Sequence, residues 1–126
     1  MNAKITEISF DFSENKDLNC KTVQSMKEAN KMLFLASFHA PRIVGHNATD
    51  FTVKFSDGTS WKGQYELVHV SRELPNLARY VRNHILIRSG SMKPEGMTCE
   101  QYSEFMDGIN DDKQEMMRFL ATHDLY

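Results

Sequence analysis

Apolar and polar residues alternate near the start of the chain, from Ile5 to Phe12. Ile8, Phe10 and Phe12 fall on one side of the alternation, and polar residues occupy the other side. A period of two is that of a strand with one buried face. The pattern therefore predicts a strand over residues 5–12, which ends at the polar run from Ser13 to Asn19.

A helical period follows this polar run. Ser25 and Glu28 have the spacing of a capping box, with Thr22 as a rival N-cap. The predicted buried stripe and its flanks consist of Met26, Ala29, Leu33 and Ser37, with Met32, Phe34 and Leu35 alongside. A stripe of this width predicts a largely buried helix. Pro41 ends it, because a proline disfavours helical geometry in the residue before it.

Two further alternating segments flank a turn signal. Phe51, Val53 and Phe55 alternate with polar residues before Asp57-Gly58, and these two residue types tolerate the positive φ of a tight turn. The residues after the turn that belong to the same predicted face are Trp61, Gly63, Tyr65 and Leu67. The pattern predicts a β-hairpin whose inner face lines the core together with the first strand.

Helical periodicity returns in the second half of the chain. The first set of apolar residues with this spacing is Leu74, Leu77, Ala78, Val81 and Ile85. It predicts an amphipathic helix with Pro75 in its first turn and Gly90 at its end. After a loop over residues 91–97, Thr98 and Gln101 form a capping-box pair, which predicts a helix broken by Gly108 and Asn110. A last helix is predicted from about Asp111 to His123, with an inner stripe of Met116, Phe119 and Leu120.

This order of elements predicts an α+β fold, in which a small antiparallel sheet packs against about four helices. The 126 residues suit one compact core, so we expect residues 1–126 to form a single domain. The longest apolar stretch, Met32 to Phe38, is too short for a membrane helix, and the N-terminus lacks the plan of a secretory signal. Cys20 and Cys99 are too few for a disulfide framework. Together these features predict a cytoplasmic protein with two reduced thiols.

Charge is distributed unevenly around the net value of −2. Residues 72–93 contain five basic residues and one acidic residue, a net of +4, whereas residues 94–126 contain two basic and eight acidic residues, a net of −6. One interpretation is that the two segments pack together and neutralise each other. The other is that each segment meets a different partner through its local field.

Two charged sets are candidate binding surfaces. The acidic set, which we expect to meet a protein partner, is Glu100, Glu104, Asp107, Asp111, Asp112 and Glu115. The basic set, an alternative surface for single-stranded nucleic acid, is Lys54, Lys62, Arg72, Arg79 and Arg82. Trp61 and Tyr65 would then stack on unpaired bases, whereas their alternation with Gly63 predicts that they face the core.

Metal-binding and catalytic motifs are absent from the sequence. The histidines fall in five different predicted elements or loops and are His39, His46, His69, His84 and His123. No HExxH, CxxC, GxSxG or glycine-rich phosphate loop occurs. We therefore predict no metal site, no cofactor and no enzymatic activity.

The stretch from Gly45 to Leu67 resembles a known family. Its sequence GHNATDFTV, followed by Asp57-Gly58 and the strand GQYEL, is similar to the large polyvalent protein-associated domain. The resemblance extends to residues 26–30, 77–84 and 97–105. The family pattern has Tyr, Asp and Lys where this chain has His46, Asn47 and Ala48, so a family function of this loop would be altered here. Gln64 likewise replaces an arginine.

The resemblance implies a biological context rather than a reaction. Members of this family are accessory proteins of plasmids, prophages and integrative elements, and such proteins often counter host defence or serve transfer. The leading hypothesis is a non-enzymatic protein that binds a host protein or protein–nucleic-acid complex and inhibits a defence system such as CRISPR-Cas or restriction. The alternative is a single-strand nucleic-acid-binding protein of plasmid or phage processing.

Overall fold

A computed structural model describes residues 2–11, 21–37, 48–66, 75–109 and 112–126 of the chain. The predictions made from the sequence also include positions outside this part. These positions are Phe12, residues 13–19, Cys20, the side chain of Ser37, His39, Pro41, residues 45–47, Leu67, His69, Arg72, Leu74, Asn110 and Asp111.

The described residues contain four antiparallel strands, which are β1 (Ile5–Asp11), β2 (Lys21–Val23), β3 (Ala48–Phe55) and β4 (Ser60–Glu66). They form one sheet with the order β2-β1-β3-β4. Phe51 of β3 pairs with Phe10 of β1 and with Gly63 of β4, so the N-terminal strand and the hairpin share one inner face, as predicted. Gly58 has a φ of 86° in the turn between β3 and β4, which is why a glycine suits that turn.

All the described helices except the third along the chain supply side chains to the core on the inner face of this sheet. The helices are α1 (Met26–Ser37), α2 (Leu77–Arg88), α3 (Cys99–Asp107) and α4 (Lys113–Thr122). The buried apolar residues form one cluster and are Ile8, Phe10, Met26, Ala29, Leu33, Ala36, Phe51, Val53, Phe55, Leu77, Ala78, Val81, Ile85 and Leu125. The predicted α+β fold is therefore confirmed. None of the helices in the described residues is long and apolar enough to cross a membrane.

The predicted N-caps of α1 and α3 are present, but the capping box of α1 is incomplete, because the Glu28 carboxylate accepts from Gln24 N–H at 3.1 Å and not from Ser25 N–H. Ser25 Oγ accepts a hydrogen bond from the Glu28 backbone N–H at 3.2 Å, which satisfies one of the unpaired donors of the first turn. Thr98 and Gln101 form the complete capping box at the start of α3, with both reciprocal hydrogen bonds. Local side-chain chemistry thus sets where both helices begin.

Three details differ from the sequence predictions. Thr22 lies in β2, a strand that was not predicted, so it does not cap α1. Pro75 precedes α2, because the side chain of Asn76 accepts a hydrogen bond from Arg79 N–H and starts the helix at Leu77. Leu35 is 57% exposed, since the buried stripe of α1 continues through Ala36 instead.

Candidate functional site

Helix α3 presents a row of carboxylates to solvent. Glu100, Glu104 and Asp107 recur at the spacing that places side chains on one face of a helix, and all three are exposed. The helix contains no buried residue. It is attached to the domain through the partly buried Tyr102, whose hydroxyl donates to the Ile87 carbonyl at 2.6 Å. We call these three carboxylates the acidic face of α3.

The acidic face of α3 is not neutralised by the described part of the chain. Between described residues, the Lys54 ammonium pairs with the Glu7 carboxylate, and the His123 ring pairs with the Asp57 carboxylate. Neither pair includes a carboxylate of α3, and neither includes the exposed arginines of α2. Ion pairs between these residues therefore do not neutralise the basic and acidic segments. Such neutralisation was one interpretation of the sequence.

The remaining members of the acidic set lie at the start of α4. The Asp112 carboxylate accepts hydrogen bonds from Gln114 N–H at 3.0 Å and Glu115 N–H at 3.2 Å, so it is the N-cap of α4. Glu115 stands in the first turn of the same helix, where a negative charge interacts favourably with the helix dipole. Both residues thus have a structural role, and Asp111 lies outside the described residues.

The basic set is divided between two sides of the molecule. Lys54 and Lys62 alternate with inward-facing residues of β3 and β4, so they lie on the open face of the sheet, and Lys54 pairs with Glu7 at 3.2 Å. Arg79 and Arg82 are exposed on α2, which covers the opposite face. The structure therefore does not bring the four described residues of this set into one surface.

The aromatic residues of the hairpin face the helices, as their spacing predicts. The Trp61 ring lies 5.6 Å from that of Phe51, and the Tyr65 ring lies 4.9 Å from that of Tyr80 on α2. The described residues of β1, β3 and β4 with side chains on the open face are Glu7, Ser9, Asp11, Asp50, Thr52, Lys54, Ser60, Lys62 and Gln64. None of these is aromatic, so these described residues offer no stacking surface for bases.

A polar cluster that the sequence did not predict joins the β3–β4 turn to the end of α4. His123 Nε2 lies 2.8 Å from Asp57 Oδ2 and 2.9 Å from the Thr59 hydroxyl oxygen. The Thr59 hydroxyl donates to Asp57 Oδ1 at 2.6 Å. The His123 ring stacks on Phe119 at 4.1 Å. The contact between Asp57 and Thr59 could be predicted from the sequence, because the two residues are close together in the turn. The contact with His123 could not, because His123 is 66 residues from Asp57.

The geometry of this cluster is that of a structural clamp. In a hydrolase triad the carboxylate faces one ring nitrogen and the hydroxyl nucleophile faces the other. Here Asp57 and Thr59 both face Nε2, while Nδ1 lies 2.9 Å from the Phe119 carbonyl oxygen. Because the carboxylate and the hydroxyl share one ring nitrogen, the arrangement differs from that of a triad. The clamp fixes the hairpin against α4.

The clamp predicts a loss of stability in acid. Hydrogen bonds from the Thr59 hydroxyl and backbone N–H hold the pKa of Asp57 below its ordinary value of 3.8. Because the folded state favours the charged carboxylate, this stabilisation is present above the unfolded-state pKa and is lost as the pH falls through the lower folded-state value. Urea unfolding between pH 7 and the acid range should show a smaller decline for Asp57→Asn than for the wild type. An equal decline in both proteins would contradict this assignment.

Cys99 is an exposed free thiol at the first residue of α3. Its predicted lack of a bond to Cys20 stays a prediction, since Cys20 lies outside the described residues. Thiol titration of the unreduced, denatured protein should find two reactive groups, and finding none would contradict it.

No family model, curated protein or solved structure matches this chain. The resemblance to the large polyvalent protein-associated domain therefore stays a prediction.

Proposed function

We propose that this protein is a non-enzymatic binding protein that presents the acidic face of α3 to a basic surface on a protein partner. The observation that carries the proposal is the state of Glu100, Glu104 and Asp107. They are exposed, they share one helix face, and they form no ion pair with the described residues.

The energetics of α3 support a binding role. Like charges one helix turn apart destabilise a helix by about 0.2–0.5 kcal/mol per pair. Burial of its own side chains compensates for this repulsion only in part, because none of the α3 side chains is fully buried. A partner with a basic surface would remove the repulsion on binding. It would also be attracted over distance by the local negative field.

The class of partner follows from the family resemblance. Accessory proteins of mobile elements often act against host defence, and the nucleic-acid channels of defence nucleases are positively charged. An acidic helix would occupy such a channel in competition with DNA or RNA. The partner we propose is therefore the nucleic-acid-binding surface of a CRISPR-Cas or restriction complex.

Charge reversal tests the acidic face of α3. The protein would be co-expressed with a panel of restriction and CRISPR-Cas systems, and the recovery of a targeted plasmid would be measured. We expect protection against at least one system, and we expect Glu104→Lys with Asp107→Lys to lower affinity for that system's complex at least about tenfold, as for close interfacial charges. Stability should change little, because the side chains are exposed.

The open face of the sheet supplies a matched control. Asp11 and Asp50 are exposed and pair across β1 and β3, so Asp11→Lys with Asp50→Lys changes the net charge by the same amount. This control should retain protection. Loss of protection with Arg79→Glu and Arg82→Glu, but not with the α3 reversal, would overturn the proposal. Steeply salt-dependent oligonucleotide binding by the wild type would then favour the nucleic-acid alternative.

A further inference from the structure

A cavity of about 250 Å³ opens where α2 and α4 meet the first residues of β4. Four of the residues that line it are apolar or aromatic, and two are acidic. They are Trp61, Ile85, Met116, Phe119, Asp112 and Glu115. The volume is below the roughly 300–1,000 Å³ typical of small-molecule sites. The cavity therefore suits a single side chain of another protein better than a complete small molecule.

The two carboxylates of the cavity are available to a ligand. Asp112 is the N-cap of α4 and Glu115 follows three residues later, a spacing that places both side chains on one side of the helix. Both capping hydrogen bonds of Asp112 are accepted by Oδ1, so Oδ2 has no partner among the described residues. Glu115 is exposed and forms no ion pair with those residues. A cation with several donors fits between the two groups.

The described residues that line this cavity include no lysine or arginine. Lys113 follows Asp112 in the chain, but its Nζ atom would lie 3.6 Å from a Cβ built on Gly90, so the ammonium is directed toward the end of α2. Arg88 lines the adjoining cavity, which shares Trp61 with this one, and it already has an interaction of its own. The negative charge of the cavity is therefore left for a cation from outside the chain.

The Trp61 indole gives the cavity an aromatic wall. A Cβ atom built on Gly63 would lie 2.5 and 2.7 Å from two ring atoms of Trp61, so the absence of a side chain at Gly63 lets the indole lie across the strand. The indole is half-buried, and part of its surface stays accessible. The face of an indole attracts cations, and the planar arginine guanidinium stacks on it.

We propose that this cavity is a pocket for an arginine side chain of the protein partner, with the guanidinium between Asp112 and Glu115 and stacked on Trp61. The proposal rests on the proposed function, because the basic surface of the partner supplies the arginine. A guanidinium has five donors in a fixed planar fork, so it can bind two carboxylates at once, whereas a lysine ammonium lacks the fork. The Cα atoms of Asp107 and Asp112 are five residues apart and hence at most about 18 Å from each other, so one partner can reach both the pocket and the acidic face of α3.

Trp61 is the only tryptophan of the chain, so the NMR resonance of its indole N–H reports directly on this pocket. The isotope-labelled full chain would be titrated with the peptide acetyl-Gly-Arg-Gly-amide at about 0.15 M salt, which screens non-specific attraction. We expect a saturable shift with a Kd of about 1 mM or below, from charge-assisted hydrogen bonds and one cation–π contact. The peptide with citrulline, which keeps the shape but not the charge, should bind at least about tenfold more weakly, and the peptide with lysine about fivefold more weakly.

Two substitutions remove charge from the pocket and preserve the start of α4. Asp112→Asn retains a capping oxygen, since Asn and Asp are similarly good N-caps, and Glu115→Gln keeps the shape of the side chain. Each should weaken binding of the arginine peptide at least about fivefold, because a charge-assisted hydrogen bond is roughly twice as strong as a neutral one. Glu95→Gln is the matched control, because Glu95 is exposed and does not line the cavity. It should leave peptide affinity unchanged, and circular dichroism would verify that every variant is folded.

Absence of a saturable shift up to about 10 mM arginine peptide, tenfold above a Kd of 1 mM, would overturn the proposal. Equal affinities of the arginine peptide and either of the other two peptides would also overturn it, as would an equal loss in Glu95→Gln and Glu115→Gln. The plasmid-protection assay separates this result from the proposed function. Protection without peptide binding would remove the pocket and leave the acidic face of α3 as the interface. Peptide binding without protection against any system would retain the pocket and overturn the proposed class of partner.

Discussion

Replacement of Phe55 by alanine should lower the free energy of unfolding by about 3–5 kcal/mol, the cost of a buried phenylalanine truncation. Phe55 is 3% exposed and ends β3 where the sheet meets α4. Its ring lies edge-on to Phe119 at 5.4 Å and to His123 at 4.8 Å. Truncation would therefore leave a cavity beneath the clamp and also remove two aromatic contacts.

Phe105 on α3 is the control for this prediction. It is 38% exposed, so Phe105→Ala should lower the free energy of unfolding by less than about 1 kcal/mol. Both variants would be compared with the wild type by urea unfolding followed by circular dichroism. A loss below about 1 kcal/mol for Phe55→Ala would mean that the two faces of the hairpin are assigned the wrong way round.

The sheet and the larger helices were predictable because their signals are local. Phe51, Val53 and Phe55 alternate with polar residues, and a period of two leaves only the choice of face open. The α2 stripe from Leu77 to Ile85 is equally regular, and the predicted residues within it are buried. In these elements the burial pattern and the local propensity favour the same structure.

Strand β2 was not predictable for the opposite reason. It has three residues, too few to show an alternation, and it exists because Val23 pairs with Ile8 of β1. The same applies to the clamp, since Asp57 and His123 meet only after the hairpin packs on α4. Contacts between residues far apart in the chain leave no periodic trace in the sequence.

The candidate binding surfaces were predictable in part. The acidic face of α3 follows from helical spacing alone, and the structure exposes all three of its residues. The sequence could not show that Asp112 is committed to capping α4, nor that β3 and α2 place the basic residues on opposite sides. Charge counts along the chain contain no information about which layer of the fold each residue occupies.

Gly63 is the residue whose role is least visible in the sequence. It interrupts an inner face of large side chains, at a position where a strand ordinarily favours a bulky residue. The structure gives the reason. An added Cβ would lie 2.5 Å from one atom of the Trp61 ring, closer than real Cβ atoms approach other atoms, and in a tight contact of 3.3 Å with a ring atom of Phe51.

Gly63→Ala should therefore displace the Trp61 indole from the strand and lower the free energy of unfolding by about 1–3 kcal/mol, the usual cost of overpacking. The displaced indole would be more exposed, so its fluorescence emission should shift to longer wavelength. Gly108→Ala is the control, because a Cβ there meets only a backbone oxygen at 3.7 Å. It should change neither the emission nor the stability by more than about 1 kcal/mol. Unchanged emission in Gly63→Ala would show that the indole does not lie across Gly63.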